Sequence, residues 1–316
     1  KIQQLDKVNC GTCNRTGRNF FRKACAHGKQ ALTMCMGFGC NAAGIIGCRI
    51  IDSPRERLIA TVTNNFVPCN GRFPTLIAII TMFFVGTVSG VFGSIISTLT
   101  LTGVIVLGVV MTVLISKLLS KTILKGLPSS FNLELPPYRR PQIGKVIIRS
   151  IFDRTFFVLG RAIAVAAPAG LIIWILANVH ADGVSLLAHC AGFLDPFARL
   201  LGMDGYILMA FILGFPANEI VIPIIIMSYM ATGSLTDIRN LSELHDLFVN
   251  NGWTWLTAVC VMFFSLMHWP CGTTCMTIKK ETQSWKWTIV SFAVPTVTGM
   301  VICFVIANIA RLLGFA

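Results

Sequence analysis

Met36-Gly37-Phe38-Gly39-Cys40-Asn41 sits inside an apolar run, and Leu213-Gly214-Phe215-Pro216-Ala217-Asn218 repeats its pattern 177 positions later, counted from Gly37 to Gly214. Both copies place helix-breaking residues where a membrane helix would otherwise continue, and both end in Asn. Such a break frees backbone groups that hydrocarbon cannot solvate, so protein or a polar cavity must cover it. Two of them in one chain predict a shared central site.

The surrounding composition decides the solvent. The 316 residues are 54% hydrophobic and only 12% charged, against about 25% charged in soluble domains. Several apolar stretches approach the ~20 residues that cross a bilayer as a helix. The class is therefore an all-α polytopic membrane protein. A formal charge of +13 would suggest nucleic acid on a soluble protein. Here the basic residues fall in loops between apolar spans, where topology and anionic membrane lipid account for them, and no nucleic acid partner is expected. Twelve cysteines do not make a disulfide framework in a chain that is not small and secreted. Cys35, Cys48, Cys190, Cys260 and Cys303 read as small buried hydrophobes. No cleavable signal peptide is visible, because the first residues are polar and basic. Cys10 and Cys13 have zinc-ribbon spacing but lack a second pair at matching distance.

Charge bias gives orientation. Residues 12–29 carry +5, residues 117–161 carry +7 (nine basic, two acidic) and residues 279–286 carry +2, so all three are expected in the cytoplasm. Residues 180–204 and 232–252 carry −2 each and are expected outside, with His180, His189 and His245 as loop residues. Segment 30–48 must then return to the side it came from, because 49–57 is basic, and it reads as a re-entrant hairpin. Segment 58–92, interrupted from Pro68 to Pro74, crosses outward. Segment 102–116 crosses back and 162–179 crosses outward. Segment 205–231 leaves the outside and returns to it. Segment 253–278, broken at Trp269-Pro270-Cys271-Gly272, crosses inward, and 287–309 crosses outward. The two hairpins thus dip from opposite sides, and each precedes a crossing helix broken at Pro-Cys. That is an inverted repeat with re-entrant or broken helices. In the alternative, both Gly-Phe segments span and 49–57 lies outside. The expected divisions are a basic N-terminal segment at 1–29, truncated or disordered; a partial first repeat and the following span at 30–125; a Pro-rich connector and cytoplasmic amphipathic helix at 126–160; and the second repeat with the C-terminal spans at 161–316.

The breaks supply candidate ligands. Hairpin one offers Cys40 and Asn41, and its crossing helix offers Cys69. Hairpin two offers Asn218 and Glu219, and its crossing helix offers Cys271, with Cys275 one turn beyond. Thiolate is a soft ligand that suits late first-row divalent ions and not magnesium or calcium. Amide and carboxylate oxygens relax that softness, so that an ion can bind and leave again. Glu219 is costly inside a membrane without a partner or a function. The alternatives are plain: the cysteines pack, the asparagines satisfy freed backbone groups, and Glu219 pairs with a lysine or arginine. His268, beside Pro270, is a further candidate. The run from Lys279 to Trp287 reads as an interface anchor, or as a contact with a soluble domain.

These motifs resemble the bacterial ferrous iron transporter B family. Met36 to Asn41, Asp52-Ser53-Pro54-Arg55-Glu56-Arg57 and Pro68-Cys69 are similar to its first Gate domain. Leu135-Pro136-Pro137-Tyr138-Arg139 resembles its mid-chain connector. Gly214-Phe215 through Asn218-Glu219 resembles the second Gate domain, and Pro270-Cys271 with Thr277 to Trp287 resembles the C-terminal signature. The resemblance implies two Gate-type helical units in a multi-pass protein of the bacterial cytoplasmic membrane. It implies uptake of Fe2+ as the transported ion, with Cys40, Cys69 and Cys271 on the metal path and no permanently bound cofactor. The family also carries a GTPase domain with a G-x-x-x-x-G-K-[ST] loop, and no such stretch occurs in this sequence. GTP is therefore expected to act only through a domain in the parent protein or in trans, and this chain is expected not to be an enzyme. The first membrane helices of the first Gate domain also find no match, so the chain reads as the C-terminal half of a transporter. A homo-oligomer is open. Rival readings are a carrier of a nucleoside or of another divalent metal, a non-transporting fragment, and a membrane thiol oxidoreductase.

Overall fold

The computed structural model describes residues 29–85, 91–124, 156–181, 183–235 and 240–314, with single positions at 144 and 148. The expectations for Cys10 and Cys13, for the Pro-rich connector and for most of the amphipathic helix lie outside these residues. The structure is 81% helical. Among the described residues the strands are one two-residue pair, β1 (His180–Ala181) against β2 (Val184–Ser185).

The helices run in chain order as α1 (Gln30–Gly39), α2 (Asn41–Gly47), α3 (Pro54–Thr63), α4 (Phe73–Ile79), α5 (Val91–Lys121) and α6 (Phe157–Asn178). They continue as α7 (Leu186–Leu200), α8 (Gly205–Leu213), α9 (Val221–Tyr229), α10 (Leu241–Asn250), α11 (Trp255–Met267), α12 (Gly272–Thr282) and α13 (Trp285–Leu312). Among the described residues three stretches are long and apolar enough to cross a membrane: Phe92–Lys121, Trp255–Thr282 and Trp285–Leu312. A fourth would be the pair α7 and α8, which bend by 108° at their junction. Burial separates these by position. The apolar window of Trp255–Thr282 is 83% buried, against 22% for Phe92–Lys121 and 28% for Trp285–Leu312. The broken span is therefore the centre, and the two continuous ones turn Leu99, Val106, Ile289 and Val301 outward, the arrangement hydrocarbon demands. Thr98, Thr100 and Thr102 remain tolerable on α5 because each hydroxyl donates to the carbonyl four residues back.

Three expectations need correction. The span placed at 102–116 begins eleven residues earlier and ends later, as α5, because apolar and Ser/Thr residues from Val91 onward keep the helix going. The polar stretch 232–252 contains α10, capped by the Asn240 side chain accepting from the Ser242 amide. Its Leu244 and Phe248 are buried, so it is amphipathic. The acidic stretch 180–204 forms β1, β2 and α7, with Ser185 capping α7 through the Ala188 amide. His180 thus lies on a strand, His189 on α7 and His245 on α10. Counting charges alone hid the helical spacing of the apolar residues between them.

Side-chain links bring the ends of both hairpins together. Lys29 Nζ donates to the Ile50 carbonyl and to Asp52, each at 2.8 Å, so the two ends of segment 30–50 meet. Asp204, at the start of α8, accepts the Tyr229 hydroxyl at the end of α9. Trp253 Nε1 donates to the same Tyr229 oxygen at 2.8 Å. At one end of the bundle, Arg55 reaches the Leu124 carbonyl, and Arg49 pairs with Glu281. At the other, Asn178 donates to the Gly233 carbonyl at 2.8 Å, and Arg311 donates to the Arg199 carbonyl.

Candidate metal path at the paired helix breaks

Hairpin one breaks at a single residue. Helix α1 ends at Gly39, Cys40 is extended (φ −153°, ψ 125°), and α2 starts at Asn41. Hairpin two breaks over a longer stretch, Gly214 to Ala217, between α8 and a 3-10 turn at Asn218–Ile220, with Ala217 extended (φ −151°, ψ 118°) ahead of Asn218. The equivalent residues of the two motifs thus share one conformation, although one is Cys and the other Ala.

Each crossing helix breaks beside its hairpin. Helix α3 runs into a 3-10 turn at Asn64–Phe66, and the chain passes Pro68 and Cys69 before α4. Helix α11 ends at Met267, and Cys271 caps the start of α12 after Pro270. Proline has no N–H to donate, so the carbonyls one turn back lose their helical partner. A backbone bond stitches each break to its hairpin: the Asn70 amide donates to the Gly39 carbonyl at 3.3 Å, and the Gly272 amide to the Phe215 carbonyl at 2.8 Å. A side chain from each crossing helix also pins the hairpin Asn. Asn64 Nδ2 donates to the Asn41 carbonyl at 3.3 Å. His268 Nε2 lies 3.3 Å from Asn218 Oδ1 as placed. His268 Nδ1 faces the Phe264 and Ser265 carbonyls at 3.1 and 2.9 Å. It must carry the ring proton to bond them, which leaves the Nε2 lone pair for an Asn218 amide turned with its NH2 toward the ring.

Gly37 and Gly44 make room for the Asn64 amide. A Cβ on Gly37 would lie 2.9 Å from Asn64 Oδ1, and one on Gly44 would lie 2.7 Å from Asn64 Nδ2 and 2.9 Å from the Thr33 carbonyl. Gly44→Ala is expected to cost about 1–3 kcal/mol as an overpacking change. Thermal denaturation in detergent should show a lowered midpoint, while Gly39→Ala, with nothing within 4 Å, leaves it in place.

Arg72 is the residue that the sequence reading missed. It is fully buried. One guanidinium nitrogen donates to the Asn65 and Leu266 carbonyls at 2.8 and 2.7 Å. The other donates to the His268 and Trp269 carbonyls at 3.1 and 3.2 Å. Arg72 from the first crossing helix therefore closes the broken end of the second, where freed carbonyls concentrate partial negative charge. Among the described residues no carboxylate pairs with it. The signal was available: a lone arginine inside an apolar, proline-interrupted span is a functional candidate by default.

The candidate ligands are partly gathered. Cys69 is buried, Cys271 half-buried and Cys40 exposed. The Cys271 thiol lies 3.2 Å from the Thr274 hydroxyl. Cys275 turns away, with its thiol donating to the Pro270 carbonyl at 3.6 Å. Asn41 and Asn218 are buried at the two breaks. Glu219 is exposed, and its Oε2 would lie 3.3 Å from a Cβ on Gly71, so hairpin two rests against the first crossing helix. Among the described residues no three His, Cys, Asp or Glu side chains converge closely enough to hold a metal ion. What the arrangement offers is a series of soft and oxygen donors along paired breaks.

Comparison with known proteins bears on this geometry. The family model described as "Ferrous iron transport protein B C terminus" matches residues 101–153. The Gate model, described as "Nucleoside recognition", matches residues 159–285, which take in hairpin two and its crossing helix. The chain is 30% identical over 293 residues to the Fe(2+) transporter FeoB of Staphylococcus aureus strain COL, covering 90% of this chain and 41% of that protein. It is 27% identical over 300 residues to the Fe(2+) transporter FeoB of Methanocaldococcus jannaschii, covering 90% and 42%. It is 24% identical over 332 residues to a Fe(2+) transport protein A/Fe(2+) transporter FeoB fusion protein of Porphyromonas gingivalis, covering 90% and 38%. The chain spans about two-fifths of the length of the curated relatives it matches. No solved structure matches it.

Proposed function

We infer, for a chain that carries the FeoB C-terminal and Gate domains, that it forms the membrane permease portion of a ferrous iron uptake transporter. The observation that carries this is the pairing of the breaks. Two hairpins with the same residue conformation at Cys40 and Ala217 each lie against a crossing helix interrupted at Pro-Cys. The meeting hairpin ends, Lys29 with Asp52 and Asp204 with Tyr229, support the re-entrant reading and the inverted repeat. Fe2+ would pass Cys40, Cys69 and Cys271 as transient soft ligands, with Asn41, Asn218 and Glu219 supplying oxygen or holding the backbone. Cys275, whose thiol is engaged by its own backbone, contributes least. The protein would sit in the cytoplasmic membrane and take its drive from a GTPase domain in the parent protein or in trans.

The test is Fe(II) flux in proteoliposomes holding the full-length parent, with Cys40, Cys69 and Cys271 each replaced by Ser. Flux is expected to fall at least about tenfold, the loss that even outer partners of metal ligands produce. Unchanged flux in all three variants would remove the ligand assignment.

The Gate match, described as nucleoside recognition, favours a second reading, a nucleoside carrier. A nucleoside needs a free aromatic face, and Trp269 already stacks on Phe292 at 5.8 Å and 7°. Uridine is therefore expected not to compete with Fe(II) uptake; full competition would reverse the order of the two readings.

A further inference from the structure

Two short helices begin at candidate metal residues and run to the same end of the bundle. Helix α2 follows Cys40, and α12 follows Cys271. They pack against each other. At their far ends Arg49, just beyond α2, clasps Glu281, in the last turn of α12, with two bonds, Nε at 2.6 Å and Nη2 at 2.7 Å. The Glu281 side chain is only 13% exposed, against 61% for Arg49, so the carboxylate is held inside and the guanidinium closes over it. The same end carries Lys279, Lys280 and Lys286, and Lys279 is itself parked over the Trp285 ring at 3.8 Å.

On this path, an ion leaving Cys40 and Cys271 toward the lysine-bearing end would pass between α2 and α12. These belong to different repeats: α2 completes hairpin one, and α12 completes the second crossing helix. They can part only if the Arg49–Glu281 clasp opens. A planar, two-pronged pair is the geometry that gives an ion pair specificity as well as strength. With Arg49 more than half exposed, water and a competing partner can reach it, so the clasp is weak enough to open.

We propose that Arg49 and Glu281 form the exit gate of the metal path, holding α2 against α12 until the clasp is broken. The proposal rests on the permease reading for its cargo, but its geometry does not depend on which ion passes. It assigns the gate to one residue pair linking the two repeats. The bonds of Lys29 to Ile50 and Asp52 stay within hairpin one and would not have to break.

The experiment uses the full-length parent in membranes and carries no iron. A membrane-impermeant maleimide is applied from the side of Lys279 to Lys286, and modification of Cys271 is followed by mass spectrometry. Arg49→Gln and Glu281→Gln are each expected to speed labelling about fivefold, the population shift expected from losing one favourable, partly exposed ion pair. The exchanged double variant Arg49→Glu with Glu281→Arg is expected to return within about twofold of the parent, because it restores the opposite-charge pair. Unchanged labelling in the single variants overturns the gate. So does a double variant that labels as fast as the singles, because a structural disturbance would not be repaired by exchanging charges. If labelling responds as expected while the cysteine-to-serine variants keep full Fe(II) flux, the gate stands and the ligand assignment fails.

Discussion

Replacing Arg72 by Met is expected to leave the parent protein unable to fold stably, and to do more damage than any cysteine substitution on the proposed path. The guanidinium is fully buried and supplies the donors for the carbonyls of Asn65, Leu266, His268 and Trp269. Each buried acceptor left without a partner costs about 1–3 kcal/mol. Four of them do not add independently, but even a partial sum is comparable with the ~5–15 kcal/mol that holds a whole domain folded. Lys is expected to recover only a small part of the loss. Its ammonium is a single point, whereas the carbonyls belong to two different breaks and are reached by two separate nitrogens of a rigid fork. The measurement is the monodisperse yield and the thermal midpoint of the detergent-solubilised parent. An Arg72→Met variant with the parent's midpoint would show that water satisfies these carbonyls and that the arginine is not structural.

Gly205→Ala is expected to be the next most damaging change. Helices α7 and α8 meet at 108°, and the bend is tight because Gly205 has no side chain. A Cβ there would lie 2.0 Å from the Ala191 carbonyl oxygen, 2.9 Å from its carbon and 3.0 Å from the Asp195 amide nitrogen. All three are backbone atoms, so no rotamer change relieves the clash. The Gly205 amide also donates to Asp195 at 3.0 Å, and Asp204 caps α8 through the Ile207 amide at 2.7 Å. Opening the bend would therefore break the cap as well. A loss of about 4 kcal/mol or more is expected, in the range reserved for substitutions that the backbone cannot absorb. Gly103→Ala on α5, with nothing within 4 Å, is the matched control and is expected to change nothing. Equal midpoints for Gly205→Ala and Gly103→Ala would mean that the two helices can separate freely.

Much of the architecture was legible in the sequence. Apolar length and low charge are one-dimensional quantities, and they marked α6, the broken span at α11 and α12, and α13. The breaks were legible because Gly and Pro act locally, on their own backbone. The motif pair at Gly37 and Gly214 therefore marked both helix breaks without any tertiary information. Less was legible where polarity and helicity coincide. Residues 241–250 look like a polar loop by charge, but they form a helix because Leu244 and Phe248 share one face. The start of α5 was misjudged for a related reason: threonines look polar in a list, but in a helix their hydroxyls bond the preceding turn.

The candidate site divides in the same way. The sequence by itself determined which residues have the chemistry: thiols at Cys40, Cys69 and Cys271, and amides at Asn41 and Asn218, each next to a residue that interrupts a helix. It could do so because a break and a ligand type are properties of adjacent positions. Only the tertiary structure decided how the two halves close on one another. Arg72 serves carbonyls 194 to 197 positions away. Arg49 meets Glu281 across 232 positions. Asn64 and His268 each reach back to the Asn of their own hairpin. The physical reason is that a freed carbonyl or a buried carboxylate fixes the need for a partner but not its place in the chain. That place is set when helices from both halves of the chain pack around the broken central span.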